Sequence, residues 1–109
     1  MGRKKVLLYP QIEQKLKDLG YRIKMARLRR KLSVELVAER AKVSRTTVWA
    51  VESGSQSVSM GGYAAVLMAI GMIQEIDHIA ADDVLGRTMQ DMGLPMRQRA
   101  PKEDSNHEA

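Results

Sequence analysis

The chain has no cysteine and no phenylalanine, and its aromatic residues are one Trp and three Tyr. Without Cys there is no disulfide framework and no thiolate metal site, which suits a reducing cytoplasm. With so few aromatics there is little for unpaired bases to stack on, which disfavours a single-strand binder. The longest apolar run, residues 63–73, is about half the ~20 residues that a membrane span needs. The basic stretch Arg3-Lys4-Lys5 leads only into Val6-Leu7-Leu8-Tyr9 before Pro10, too short for the apolar core of a signal peptide. No Ser/His/Asp set, phosphate loop or matched carboxylate pair can be argued, so an enzyme is not expected. Asp77, His78, Asp82 and Asp83 lie close in sequence, but one His among scattered carboxylates has no matching ligand set elsewhere, and no metal is expected. The expectation is a soluble cytoplasmic protein with no membrane contact and no cofactor.

What the chain does have is a divided charge. Its 109 residues, enough for one small domain, carry a net charge of +5. Residues 1–53 hold 14 Lys/Arg and 5 Asp/Glu, a net of +9; residues 54–109 hold 4 and 8, a net of −4. A basic half joined to an acidic one points the first half toward a polyanion.

The hydrophobic pattern is helical almost throughout. Pro10 is suited to open a helix, because its missing N–H would be unpaired there in any case. Ile12, Leu16, Leu19, Ile23 and Ala26 then recur at 4-3-4-3 spacing, one stripe of a helix reaching about Lys31. Gly20 weakens that helix and is a candidate break. Between the stripe positions stand Arg22, Lys24, Arg29, Arg30 and Lys31, a cationic face. Ser33 caps a second helix, Val34–Ala41, and Ser44 a third, Arg45–Glu52. Only Lys42 and Val43 separate the two, the spacing of a tight helix-turn-helix. Gly54 stops the third helix. Ser59 caps a fourth through about Ile70, closed by Gly71. Shorter elements are expected over Gln74–Ala80 and Asp83–Met92. The fold class is therefore all-α: a compact helical bundle of about five to six helices containing a helix-turn-helix. Its parts are a basic arm over 1–9, the helix-turn-helix domain over 10–73, C-terminal helices for dimer or partner contact over 74–95, and a disordered tail over 96–109, which has almost nothing to bury.

The stretch Ser33–Gly54 carries the chemistry. Val48 and Val51 point to the core, with Val37 and Ala38 of the second helix facing them. The other face offers Arg45, Thr46, Trp49 and Ala50. A short helix with a polar N-terminal end, held from behind by another helix, fits a DNA major groove. There Arg45 can bond guanine O6 and N7 together, and Thr46 and Thr47 can bond base edges or touch a thymine methyl. Ala50 permits close approach. Trp49 is either an apolar shelf against the sugar–phosphate wall or a contact for the Ser53–Gln56 loop. Free N–H groups at Ser33 and Ser44 suit phosphates. The cations of the first helix, Arg22 and Lys24 among them, add sequence-independent attraction.

The ordered set Arg22-Ile23-Lys24, Leu32-Ser33, Val37-Ala38, Val43-Ser44-Arg45-Thr46-Thr47-Val48-Trp49, Glu52-Ser53-Gly54, Leu67 and Ile70-Gly71 resembles the Cro/C1 (Xre-type) helix-turn-helix family over about residues 16–73. The resemblance implies a five-helix DNA-binding domain that acts as a dimer. It also implies an ion pair between Arg27 on the first helix and Glu52 closing the third. Val34 stands where many relatives place a phosphate-binding Gln, and the Gly54–Ser57 loop lacks a basic residue, which shifts phosphate contact toward the first helix, the hydroxyls and Gln56. Farther on, Asp83-Val84-Leu85-Gly86-Arg87, Gly93-Leu94-Pro95 and Arg97 resemble HipB-like antitoxins, which repress their own operon and bind a HipA-like kinase toxin.

Tyr63–Ile70 is apolar all round, so it must be buried on nearly every side. A chain this short has few layers to cover it. Tyr63, Val66, Leu67, Ile70, Ile73 and Ile76 are accordingly expected at a twofold dimer contact, against the alternative of a monomer in which the later elements fold back. The functional expectation is a homodimeric repressor that reads a palindrome in double-stranded DNA, as the antitoxin of such an operon or as a stand-alone regulator. A protein whose main task is to hold a partner, and a non-specific nucleic-acid binder, are the readings it competes with.

Overall fold

A computed structural model describes residues 7–95; the arm before residue 7 and the tail after 95 lie outside the described residues. Among the described residues there are five α-helices and one 3₁₀ helix, and no strand. The helices are α1 (Pro10–Arg29), α2 (Val34–Ala41), α3 (Arg45–Glu52), α4 (Met60–Ala69) and α5 (Val84–Asp91), with the 3₁₀ segment Ile73–His78 between the last two. By contacts the chain divides between Ile79 and Ala80. The 3₁₀ segment packs with α4, so residues 74–79, grouped above with the C-terminal helices, belong to the first unit.

Local chemistry accounts for the helix starts. Pro10 opens α1 with Tyr9 before it in extended backbone. Ser33, Ser44 and Ser59 each accept a bond from the backbone N–H three residues on, at Leu36, Thr47 and Gly62. Each hydroxyl satisfies one donor that the first turn cannot pair internally. Asp83 does the same for α5 by accepting from Gly86. Between α2 and α3, Lys42 takes a left-handed conformation, φ 58°, and closes α2 with bonds to Ala38 and Glu39.

Gly20 does not break α1, which runs unbroken through it. The glycine is needed for another reason. A Cβ there would sit 2.6 Å from both the Gly54 nitrogen and the Val51 carbonyl oxygen. α1 thus crosses the end of α3 with backbone against backbone. Gly54 answers from the other side with a positive φ of 76°, where a side chain would strike the α1 backbone at Leu16.

The core of the first unit is made by α1, α2, α3 and α4. Val37, Val48, Val51 and Val66 are fully buried at its centre, with Ile23, Ala26, Ala38 and Leu67 around them. α4 packs on α2, α3 and the 3₁₀ segment. That overturns the expected dimer contact at four of its six positions. Tyr63, Val66, Leu67 and Ile70 are buried within the chain itself, and the Tyr63 hydroxyl donates to the Ser55 carbonyl at 2.7 Å. The chain's own helices cover much of α4, while Met68 on its remaining side is exposed. Ile73 and Ile76 are only half-buried. The second unit, residues 80–95, is described by α5, in which no residue is buried.

Candidate nucleic-acid interface

The interface is built from the back forward. Arg27 of α1, 8% exposed, donates from Nε to Glu52 Oε2 at 2.6 Å and from Nη2 to Oε1 at 3.1 Å. Its Nη1 donates to the Leu32 carbonyl at 2.8 Å. One guanidinium thus ties α1, the α1–α2 connection and the last residue of α3. Two parallel bonds to a carboxylate fix orientation as well as distance. Both partners are nearly out of water, so the pair holds only as a pair; either charge left alone would be costly. The ion pair implied by the resemblance is present at the two residues named for it.

With its C-terminal end held there, and with Val48 and Val51 in the core, α3 turns its other end outward. Ser44, Arg45 and Thr46 are exposed, and more than half of Trp49 is accessible. Two of the expected base-reading residues are less available. Thr47 is half-buried, and its hydroxyl pairs with that of Ser44 at 3.1 Å. Ala50 is half-buried, and its carbonyl accepts from Ser53 and Ser55. The bare face therefore narrows to Ser44, Arg45, Thr46 and Trp49.

Arg45 is engaged by a residue that sequence reasoning missed. Its Nη1 donates to Glu35 Oε2 on α2 at 3.3 Å, with both side chains well exposed. A bond from its own backbone N–H, then the Arg45 side chain, hold the Glu35 carboxyl below its ordinary value. An exposed pair of this kind contributes little to stability, and it leaves Arg45 able to swing away. Nothing in the ten-residue spacing of Glu35 and Arg45 announces the contact, because the turn at Lys42 sets it.

The residues expected at phosphates are distributed unevenly. The hydroxyls of Ser33 and Ser44 are engaged in capping, while the first-turn N–H groups they leave over are the ones that suit an anion. Arg22 and Lys24 are both exposed, yet they are not neighbours in space. Two residues apart on a helix is about 200° of turn, and only Arg22 lines the apolar groove described below. Gln56 is half-buried in the loop after α3 and lines the same groove. Burial pushes the Tyr63 phenol up, so Tyr63 stays a neutral donor to that loop.

Two short helices joined through a left-handed residue, the second braced from behind and bare at its polar end, make this a helix-turn-helix unit, the architecture of DNA-binding regulators. The chain belongs to the helix-turn-helix domain family, whose model matches residues 18–78, from the middle of α1 to the end of the 3₁₀ segment. That membership supports DNA as the ligand. No curated protein matches the chain. Among the described residues no helix is long and apolar enough to cross a membrane.

Proposed function

We propose that this chain is a sequence-specific transcriptional repressor of the Cro/C1 (Xre-type) kind, working in the cytoplasm as a homodimer on a palindromic operator. The observation that carries the reading is the bare N-terminal end of α3, held outward by the buried Arg27–Glu52 pair. In the complex Arg45 leaves Glu35 and bonds guanine O6 and N7, and Thr46 contacts the neighbouring base. Trp49 lies as an apolar shelf along the groove wall. Thr47 and Ala50 sit at the edge of the contact and shape it. Lys24 and the N–H groups at Ser33 and Ser44 neutralise or bond phosphates, while Arg22 and Gln56, at the apolar groove, stand apart from that contact. The basic first half supplies the long-range attraction. A twofold dimer would set two copies of α3 about 34 Å apart, one helical turn of DNA.

Selection of bound duplexes from a randomised pool tests this. Enrichment of an inverted repeat is the expected result; enrichment of no sequence would sink specific repression. On the selected site, Arg45→Ala should lower the preference for operator over random DNA by about 1–3 kcal/mol, concentrated at one base pair of each half-site. An unchanged ratio would remove Arg45 from base reading.

The finer reading is the antitoxin of a HipA-like kinase toxin, with self-repression as its second task. It is supported by the resemblance of residues 83–97. A kinase-like reading frame beside the gene, whose product co-purifies with this chain, is the result expected; without both, the stand-alone regulator is the better description.

A further inference from the structure

The first unit carries an open apolar groove of about 830 Å³. Ile12, Leu16 and Leu19 of α1 line one side, and Met72, Ile76 and Ile79 the other. Ile12 and Ile79 are exposed, and Leu16, Leu19, Met72 and Ile76 are half-buried. Large apolar surface left open in this way marks an interaction site. The second unit carries the opposite feature. Leu85 and Met89 stand at i and i+4 of α5, on one face of the helix, Met92 is the residue that caps its C-terminus, and all three are exposed. α5 has only eight residues, and a helix shorter than about 12–15 residues is marginal in water without packing to support it.

We propose that α5 of one copy docks, apolar face down, into the α1 groove of a second copy, and that the exchange is reciprocal. The inference rests on the homodimer reading and gives it the contact that buried Tyr63, Val66, Leu67 and Ile70 cannot make. Three observations favour α5 as the occupant, and the homodimer reading makes it the second copy's. The lengths agree: eight residues of helix span about 12 Å, and the wall from Ile12 to Leu19 about 10 Å, at ~1.5 Å per residue. The charges agree: Arg22 and Arg29 line the groove against Glu75, and neither arginine is in an ion pair among the described residues. Residues 80–95 carry a net of −2, Asp82, Asp83 and Asp91 against Arg87, with Asp82 bonded to Arg87 at 2.9 Å and Asp83 capping α5. The stoichiometry agrees: each copy has one helix to give and one groove to fill, so a twofold pair closes and leaves neither open. An amphipathic helix in an apolar groove is a recurrent mode of recognition.

Sedimentation equilibrium of the full chain tests the docking. Leu85→Asp with Met89→Asp alters exposed side chains and leaves the first unit's core untouched. It should weaken dimerisation by about tenfold or more, as loss of central apolar anchors does. Ile12→Asp, on the groove side, should do the same. An equimolar mixture of the two variants keeps one intact helix and one intact groove, and should pair more tightly than either variant alone. If the α5 variant dimerises like the wild type, the docking is overturned and the homodimer stands on another surface. If both variants weaken but the mixture recovers nothing, reciprocal docking is overturned. A wild-type chain that stays monomeric at high concentration overturns the docking and the homodimer together.

Discussion

At its C-terminal end α3 is locked. Val48 and Val51 are fully buried, Glu52 takes two bonds from Arg27, and Gly54 lies against the α1 backbone. At its N-terminal end Ser44, Arg45 and Thr46 are exposed, and the Arg45–Glu35 ion pair joins two solvated side chains. Eight residues thus hold two kinds of electrostatics. The buried pair is indispensable because neither charge has water to fall back on. The exposed pair is dispensable because both do. A helix that must present its front edge in a fixed orientation needs a rigid end and a free end, and here the burial of the charges separates the two.

That contrast can be broken at the locked end first. Arg27→Ala leaves the Glu52 carboxylate buried without its partner and should destabilise the fold by about 3–5 kcal/mol, read as a lower midpoint in urea unfolding. A loss below about 1 kcal/mol, the range of an exposed pair, would mean that water reaches Glu52. Gly20→Ala puts a methyl against the Gly54 and Val51 backbone, which cannot move like a flexible side chain. Overpacking of that kind should cost about 1–3 kcal/mol, whereas the same change on an open helix surface would stabilise by up to about 1 kcal/mol.

At the free end the effects shrink. Ser44→Ala removes the cap and its bond to Thr47, with an expected loss of about 1 kcal/mol in thermal or urea unfolding. Glu35→Gln should leave the urea-unfolding midpoint essentially unchanged, as surface substitutions usually do. It should nonetheless tighten operator binding slightly, because Arg45 no longer has a carboxylate to leave. The Glu35 carboxyl lies below its ordinary value, so its small contribution to stability is present above that ordinary value. It is lost as pH falls through the lowered one. Weaker binding by Glu35→Gln would assign Glu35 a direct part in the DNA contact.

Much of this architecture is legible residue by residue. Ser33, Ser44 and Ser59 announce their helices because a cap is a local bond, closed within three residues. α2 and α3 match their expected limits, Val34–Ala41 and Arg45–Glu52, because the two-residue turn leaves no room for drift. The segment expected over Gln74–Ala80 forms instead as the 3₁₀ helix Ile73–His78, where the pattern is too short to separate the two kinds of turn. Gly20 misleads because its weak helix propensity is a local property, while its use, the close crossing over Gly54, involves residues more than thirty positions away. α4 misleads in another way: its all-round apolar surface calls for cover, but does not say that the cover comes from the chain's own helices or that Met68 goes without it.

Capping, periodicity and charge are properties of neighbours along the chain, and they determined by themselves that this protein is helical, where its short helices start, and that its first half is basic. Which surfaces remain open is a sum over distant packing partners. Only the fold decided that Thr47 and Ala50 are partly withdrawn, that Glu35 meets Arg45, and that Tyr63, Val66, Leu67 and Ile70 are spent on the core. Burial depends on everything that surrounds a residue, and that sum is not written in any window of sequence.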